Sequence, residues 1–311
     1  MTGLVNADAP RPGAVPVTLD GGPFRLSDAR RLGVSRDRLR GSAFRHPTRS
    51  VYVSAEIAAD LELEAGSWAL VLPPSAAMFG TTAAAWYGLP VPRDEAFHVI
   101  VPAGDVVPRR RTGLVPHEGL GEHEWSIQRG LRVTTPERTW LDLASVLGRT
   151  QLVIAGDAMV SGGLTTVEAI QVVSAVTRRR RGVVLAREAA ALVRSGVDSP
   201  PETIVRLIIV DGGLPCPQTG LDVYDDGGGW IGRPDLCYLA LKLAIQYEGD
   251  VHRTTKKRWR ADISRDEVLL DHGWDVIRVT GYDLHRPAAL CHRIAVRLER
   301  QSLSLDLPLP R

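Results

Sequence analysis

Apolar positions along this chain change rhythm several times, and each change marks an element. Near the N-terminus the pattern is short and punctuated. Ser27 is placed to cap a helix Asp28–Leu32, which Gly33 closes, and Ser35 to cap a second helix Arg36–Arg40, ended by Gly41. A basic ribbon with Phe44, Arg45, His46 and Arg49 follows, then a β-rich run Val51–Val53. Two short helices joined by a tight turn and trailed by a basic ribbon predict a winged helix-turn-helix. Further along, helical periodicity over Leu61–Leu72 stops at Pro73-Pro74, and Thr82–Tyr87 is helical with Gly88 after it. Phe97–Val101 reads as a strand. Thr135-Pro136 opens a helix Glu137–Leu147, Gly148 ends it, and a further helix covers Gln151–Val160. Residues 165–177 and 183–194 have the spacing of two amphipathic helices, with Arg178–Arg181 and Gly182 as the turn between them.

In the last third, Ser199-Pro200-Pro201-Glu202 opens a helix running to about Val210, and Thr219–Tyr224 predicts a strand. Two β-rich runs, one beginning at Asp235 and one ending near Glu248, predict a hairpin. Side chains alternate along a strand, so Gln246 and Glu248 share one face and Tyr247 takes the other. Antiparallel pairing sets the start of the first strand beside the end of the second, which brings Asp235, Gln246 and Glu248 together. A helix Lys256–His272, stopped by Gly273, and a strand Trp274–Thr280 complete the order α, β, β, β, α, β. Ser199-x-x-Glu202 is also the signature of a helix capping box. Asp262 and Arg265, three apart on the predicted helix, suit a surface ion pair, and Trp259 and Trp274 suit a core.

Composition narrows the picture only moderately. The 311 residues are 44% hydrophobic and 24% charged, as in a globular protein of two or three domains. The net charge is +2, so any attraction to nucleic acid comes from local clusters: Arg109–Arg111, Arg178–Arg181 and the stretch Arg253–Arg260. The three cysteines, Cys216, Cys237 and Cys291, include no Cys-x-x-Cys pair, which argues against a zinc site or a disulfide framework and suits a reducing cytoplasm. No apolar stretch of membrane-spanning length is present, and the proline-containing residues 1–22 read as a flexible tail rather than a signal peptide.

Leu32-Gly33-Val34-Ser35 with Tyr52-Val53, Thr82-Ala83-Ala84 with Gly88-Leu89, and Val133–Thr139 with Leu141–Ala144 together resemble the AbiEi antitoxin-like family of bacterial proteins. The resemblance spans the first 160 or so residues. It implies an N-terminal winged helix that binds DNA, often at the protein's own promoter, with Arg36, Arg38, Arg40, Arg45 and Arg49 as the residues in reach of phosphates.

Over residues 199–286 a second resemblance, to the PD-(D/E)XK nuclease superfamily in its very-short-patch-repair (Vsr) branch, is carried by an ordered set. The set comprises Glu202, Pro234-Asp235, Tyr247-Glu248-Gly249, His252, Asp262 with Arg265, and Gly273–Val279. It implies a restriction-endonuclease-like αβββαβ core in which Asp235, Glu248 and Gln246 hold Mg²⁺ or Mn²⁺. Glu202 would add a carboxylate, and His252 would donate to the phosphate or transfer a proton. Arg253, Lys256 and Lys257 would follow the DNA backbone beside it. The chain departs from the pattern at Gln246, where a carboxylate is expected, and at Glu248, where the lysine of the family name would stand.

The expected fold class is thus α/β, mixed α+β over the whole chain. A tail (1–22) precedes a winged helix-turn-helix (23–60), an AbiEi-like middle region (61–195) and a Vsr-like nuclease-fold domain (196–300). The expected function is a cytoplasmic DNA-acting protein, read first as a metal-dependent endonuclease guided by a winged helix. The alternative is a non-catalytic antitoxin-type transcriptional regulator whose degenerate nuclease fold serves binding.

Overall fold

A computed structural model describes residues 19, 21–106, 111–249 and 267–310. The fold is mixed α+β, as expected. Packing divides the chain into two units: residues up to Gly88 with Pro92–Thr139, and Leu89–Val91 with Trp140–Arg311.

The first unit opens with β1 (Phe24–Arg25), α1 (Leu26–Arg31), α2 (Arg36–Leu39), β2 (Phe44–Arg45) and β3 (Val51–Ser54). The strands pair antiparallel in the order β1-β3-β2. α1 begins earlier than its serine suggests, because the cap is supplied by Asp28, whose carboxylate accepts the Arg25 N–H (3.2 Å). Gly33 sits at φ +74°, where a glycine is at ease, and turns the chain into α2. Ser35 caps α2 as expected, accepting the Arg38 N–H at 3.3 Å. Phe24, Ala29, Val34, Leu39, Phe44 and Tyr52 close a small core between the helices and the sheet.

Within the same unit α3 (Leu61–Ala69) and α4 (Gly80–Trp86) accompany a five-stranded sheet of β4 (Ala77–Met78), β5 (Phe97–Val101), β6 (Leu114–Glu118), β7 (Trp125–Gln128) and β8 (Leu131–Thr134). Its order is β6-β5-β4-β8-β7, with β5/β6 and β4/β8 parallel. Trp68, Met78, Trp86, Phe97, Val99 and Val133 fill its core. The unit boundary falls within α5 (Pro136–Leu143), which stops four residues short of the helix the sequence suggests.

The second unit continues with α6 (Arg149–Ser161), α7 (Val167–Val176), α8 (Val183–Ala190) and α9 (Pro200–Asp211). Asp157 of α6, 1% exposed, accepts from Arg206 (2.6 Å) and Thr203 (2.7 Å) of α9. Gly182, at φ +81°, starts α8 against the Ala144 carbonyl.

The expected strand Thr219–Tyr224 is in fact two. β9 (Gln218–Thr219) joins the main sheet, whereas β10 (Val223–Tyr224) forms a separate hairpin with β11 (Trp230–Gly232). Gly220, at φ +56°, passes so close to Gly196 that a Cβ would meet its carbonyl oxygen at 2.3 Å, and the chain breaks direction there. The main sheet has the order β14-β13-β12-β9, built from β12 (Leu236–Tyr238), β13 (Leu243–Glu248) and β14 (Asp275–Thr280), with β13/β14 parallel. Residues 267–271 are helical, and the rest of the predicted helix Lys256–His272 lies outside the described residues. α10 (Gly281–Leu284) and α11 (Pro287–Leu305) end the chain. One face of the sheet packs Leu236, Leu243, Ile245, Ile277 and Val279 under α9 and α11, through Val205, Ile209, Leu290 and Ile294. The other carries Cys237, Ala244 and Trp274 with Val223, Ile231 and Leu269. No helix among the described residues is long and apolar enough to cross a membrane.

Candidate functional site

On α2, Leu39 points into the small core, which turns the arginines outward. Arg36 and Arg40 are exposed and Arg38 is half-buried. Arg40 stands 3.5 Å from Asp37, a loose surface pair that costs little to break. Arg45 differs from expectation. Its guanidinium is turned inward, half-buried, and donates to the Ile57 carbonyl, so it ties β2 to the following segment. Arg49 is exposed, and its carbonyl accepts from the guanidinium of Arg111 (3.4 Å), which places the described end of the Arg109–Arg111 run beside the ribbon. His46 stays at the surface with its ring edge on Tyr52, centroids 4.0 Å apart.

The motifs of the middle region form a polar network that sequence reasoning did not anticipate. Thr82 accepts the His98 N–H (2.8 Å) and so ties α4 to β5. The His98 ring lies between the Asp94 carboxylate (Nε2 to Oδ2, 2.6 Å) and His117 of β6 (Nδ1 to Nε2, 3.0 Å). His117 in turn lies on Phe79, and the Arg138 guanidinium, ion-paired with Glu124, faces the same phenyl ring. Burial, then the neighbouring His98 and Arg138, hold the His117 pKa below its ordinary value. The register sets His117 opposite Ile100, two residues from His98, so the rings share a sheet face. No sequence spacing reveals this, because 19 residues separate the two histidines. In the second unit, Asp142 of the Leu141–Ala144 motif is buried and pairs with Arg180 (2.8 Å), so part of the four-arginine run is internal wiring.

The C-terminal sheet brings together three of the predicted site residues. β12 and β13 pair with Leu236 opposite Ile245, and continuing that register sets Asp235 opposite Gln246. Asp235 Oδ2 accepts the Tyr247 N–H at 2.7 Å, which extends the ladder by a side chain. Tyr247 packs on the α9 face, so alternation places Gln246 and Glu248 on the opposite face with Asp235. Arg278 of β14, in register with Gln246, lies on that face too, and its guanidinium is 2.8 Å from Glu248 Oε1.

Glu202 sits at the N-terminus of α9, 7% exposed, and the segment before it adjoins the same end of the sheet, where Gly196 lies against Gly220, whose N–H donates to the Asp235 carbonyl (3.4 Å). Its carboxylate accepts from Ser199 Oγ (2.7 Å) and the Asp198 N–H (2.9 Å), which is capping work. Burial raises its pKa against those hydrogen bonds. His252, Arg253, Lys256, Lys257, Trp259, Asp262 and Arg265 lie outside the described residues. Trp274 is in the core, as expected.

A resident dication fits this arrangement poorly. Of the two carboxylates, Glu248 is already neutralised by Arg278, and a metal there would meet the guanidinium's like charge at short range. Asp235 has one oxygen committed to the backbone of β13. Among the described residues, no group of three or more histidine, cysteine, aspartate or glutamate side chains is disposed to hold a metal.

Compared with known proteins, the chain is 29% identical over 224 residues to an uncharacterized protein of Mycobacterium tuberculosis, found in two strains; the alignment covers 72% of this chain and 81% of the relative. The crystal structure of another M. tuberculosis protein aligns at 14% identity with a TM-score of 0.40, covering 65% of this chain and 83% of that one. The sequence profile of the AbiEi antitoxin C-terminal domain matches residues 76–196, a span that holds the Thr82-Ala83-Ala84, Val133–Thr139 and Leu141–Ala144 motifs and begins after the sheet of β1–β3. The middle of this chain is therefore similar to the C-terminal domain of AbiEi antitoxins.

Proposed function

We propose that the protein is a DNA-binding regulator of the antitoxin type, acting in the cytoplasm. In this reading residues 23–60 are the DNA-contacting winged helix, 61–195 the antitoxin-type middle region and 196–300 a nuclease-like fold that serves binding without catalysis. Its partners are DNA and a cognate toxin. The observation that carries the reading is the pair of short helices presenting Arg36 and Arg40 outward, with Arg49 exposed on the ribbon, directly ahead of a segment similar to an antitoxin domain. Arg45 is left out of the contact set, because its guanidinium is used internally. A mobility-shift titration of the full chain on duplex DNA from upstream of its own coding sequence tests this. Arg36→Ala with Arg49→Ala should weaken binding at least about tenfold, since charge-assisted phosphate contacts contribute roughly 1 kcal/mol or more each. Wild-type protein that fails to shift DNA even at low salt sinks the proposal.

A second reading, a metal-dependent DNA endonuclease using Asp235, Gln246, Glu248 and His252, has one observation in its favour. Asp235, Gln246 and Glu248 share one end and one face of the sheet. The Glu248–Arg278 pair weighs against it. A plasmid-nicking assay in Mg²⁺ and Mn²⁺ beside Asp235→Ala separates the two. Cleavage lost in the variant restores the enzyme, and inert wild-type protein leaves the regulator.

A further inference from the structure

Carboxylates gathered at one sheet end repel unless a cation joins them. Many proteins solve this with a bound metal, but a side chain can solve it as well. Here the end of β12 and β13 carries Asp235, neutral Gln246 and Glu248, and the adjacent β14 supplies Arg278 in register with Gln246. We infer that Arg278 stands in the place of a divalent cation, neutralising Glu248 with a side chain, so that this end of the sheet is a metal-independent site.

Three observations point the same way. The guanidinium is 2.8 Å from Glu248 Oε1, a direct charge-assisted contact. It comes from a central position of β14, whose neighbours Ile277 and Val279 are buried in the core, so its backbone is held in place. The residue alongside it, Gln246, can offer an oxygen but no charge, so among the described side chains two carboxylates and one guanidinium leave a single negative charge to attract a hard dication. An arginine keeps its proton at any pH the protein meets, and it is tethered by the chain. It therefore neutralises Glu248 whatever the metal concentration. The inference is independent of the regulator reading, because a protein with or without metal here could still bind DNA through its winged helix.

Calorimetric titration of the full-length protein with Mn²⁺ alone, beside thermal melts with and without millimolar Mn²⁺, tests it without DNA. Wild type and Arg278→Lys, which keeps a cation, should show no saturable binding and no shift in melting temperature. Arg278→Met should acquire saturable binding at least about tenfold tighter than any wild-type response, with metal raising its melting temperature. Adding Asp235→Asn to Arg278→Met should remove the gain. A folded Arg278→Met that gains no affinity overturns the inference, as does saturable wild-type binding that Asp235→Asn abolishes. Should Arg278→Met not fold, the wild-type titration against Asp235→Asn decides by itself: Asp235-dependent saturation overturns the inference, and its absence through the millimolar range sustains it.

Discussion

At the scale of single residues, buried charge decides more than exposed charge. Asp157 and Arg206 are 1% and 0% exposed and lie 2.6 Å apart. Burial pushes the Asp157 carboxyl up, against the pull of Arg206 and of the bonds from Thr203 and the Arg194 N–H. Removing one partner strands the other in an apolar surrounding. Asp157→Ala should therefore cost roughly 3–5 kcal/mol in urea unfolding, whereas loss of an exposed pair such as Arg40–Asp37 should cost well under about 1 kcal/mol. Equal costs would mean that water reaches the buried pair. His117 supplies a pH signature. Its folded pKa is depressed below the ordinary 6.5, so the unfolded chain takes up a proton first as pH falls. That contribution to stability is intact above about pH 6.5 and is lost as pH drops from there towards the folded value, with a slope of at most about 1.4 kcal/mol per pH unit. The ring faces His98 on β5, with Asp94 behind it, and Arg138 on α5, which is itself paired with Glu124. His117→Gln should flatten the urea stability profile between pH 7 and pH 5 relative to wild type, and parallel profiles would assign the pH dependence to other groups.

At the scale of elements, punctuation by glycine and capping side chains was largely readable, and the lengths between punctuation marks were not. Gly33, Gly88, Gly182 and Gly273 fall where helices meet turns, all at positive φ. Gly182 is the most constrained of these. A Cβ there would stand 2.3 Å from the Ala144 carbonyl oxygen at φ +81°, so neither the backbone nor its neighbour can relieve the clash cheaply. Gly182→Ala should lower stability by more than about 2 kcal/mol, read by thermal or urea unfolding, whereas Ser35→Ala, which removes only a cap, should cost about 1 kcal/mol. Comparable losses would mean that the approach of Gly182 to Ala144 is looser than the geometry indicates. The helix of Glu202 shows how one signature supports two readings. Ser199-x-x-Glu202 looks the same in a sequence whether the glutamate faces a ligand or its own helix end. In the fold, Ser199 Oγ and the Asp198 N–H both donate to the Glu202 carboxylate, bonds at its own helix end that the sequence pattern alone does not distinguish from a ligand site.

For the whole molecule, a net charge of +2 predicts little, because the charges are sorted by the fold. Arg180 is spent on Asp142, Arg45 on a carbonyl and Arg278 on Glu248, while in the first unit Arg36, Arg40 and Arg49 stay exposed and Arg111, half-buried, donates to the Arg49 carbonyl. If about four of these meet phosphates, the slope of log affinity against log salt should be about −4 for the full chain. A slope near zero would mean that DNA is held by something other than backbone contacts.

The amino-acid sequence by itself determined those features that depend on neighbours within a few residues. The two capped helices and the ribbon at the N-terminus, the strand Phe97–Val101, the helix after Ser199, and the alternation that sets Gln246 and Glu248 against Tyr247 all follow from local sterics, capping and the two-residue repeat of a strand. The tertiary structure alone decided which distant residues meet. His98 and His117 come together through a parallel register, and the run after Gly220 leaves the main sheet because two glycine backbones cross there. Arg278 reaches Glu248 because β14 runs parallel to β13 from the far side of a connection that local patterning cannot orient. Which side chain neutralises Glu248 depends on strand order and register, and those are set by burial summed over the whole sheet rather than by any residue in the motif.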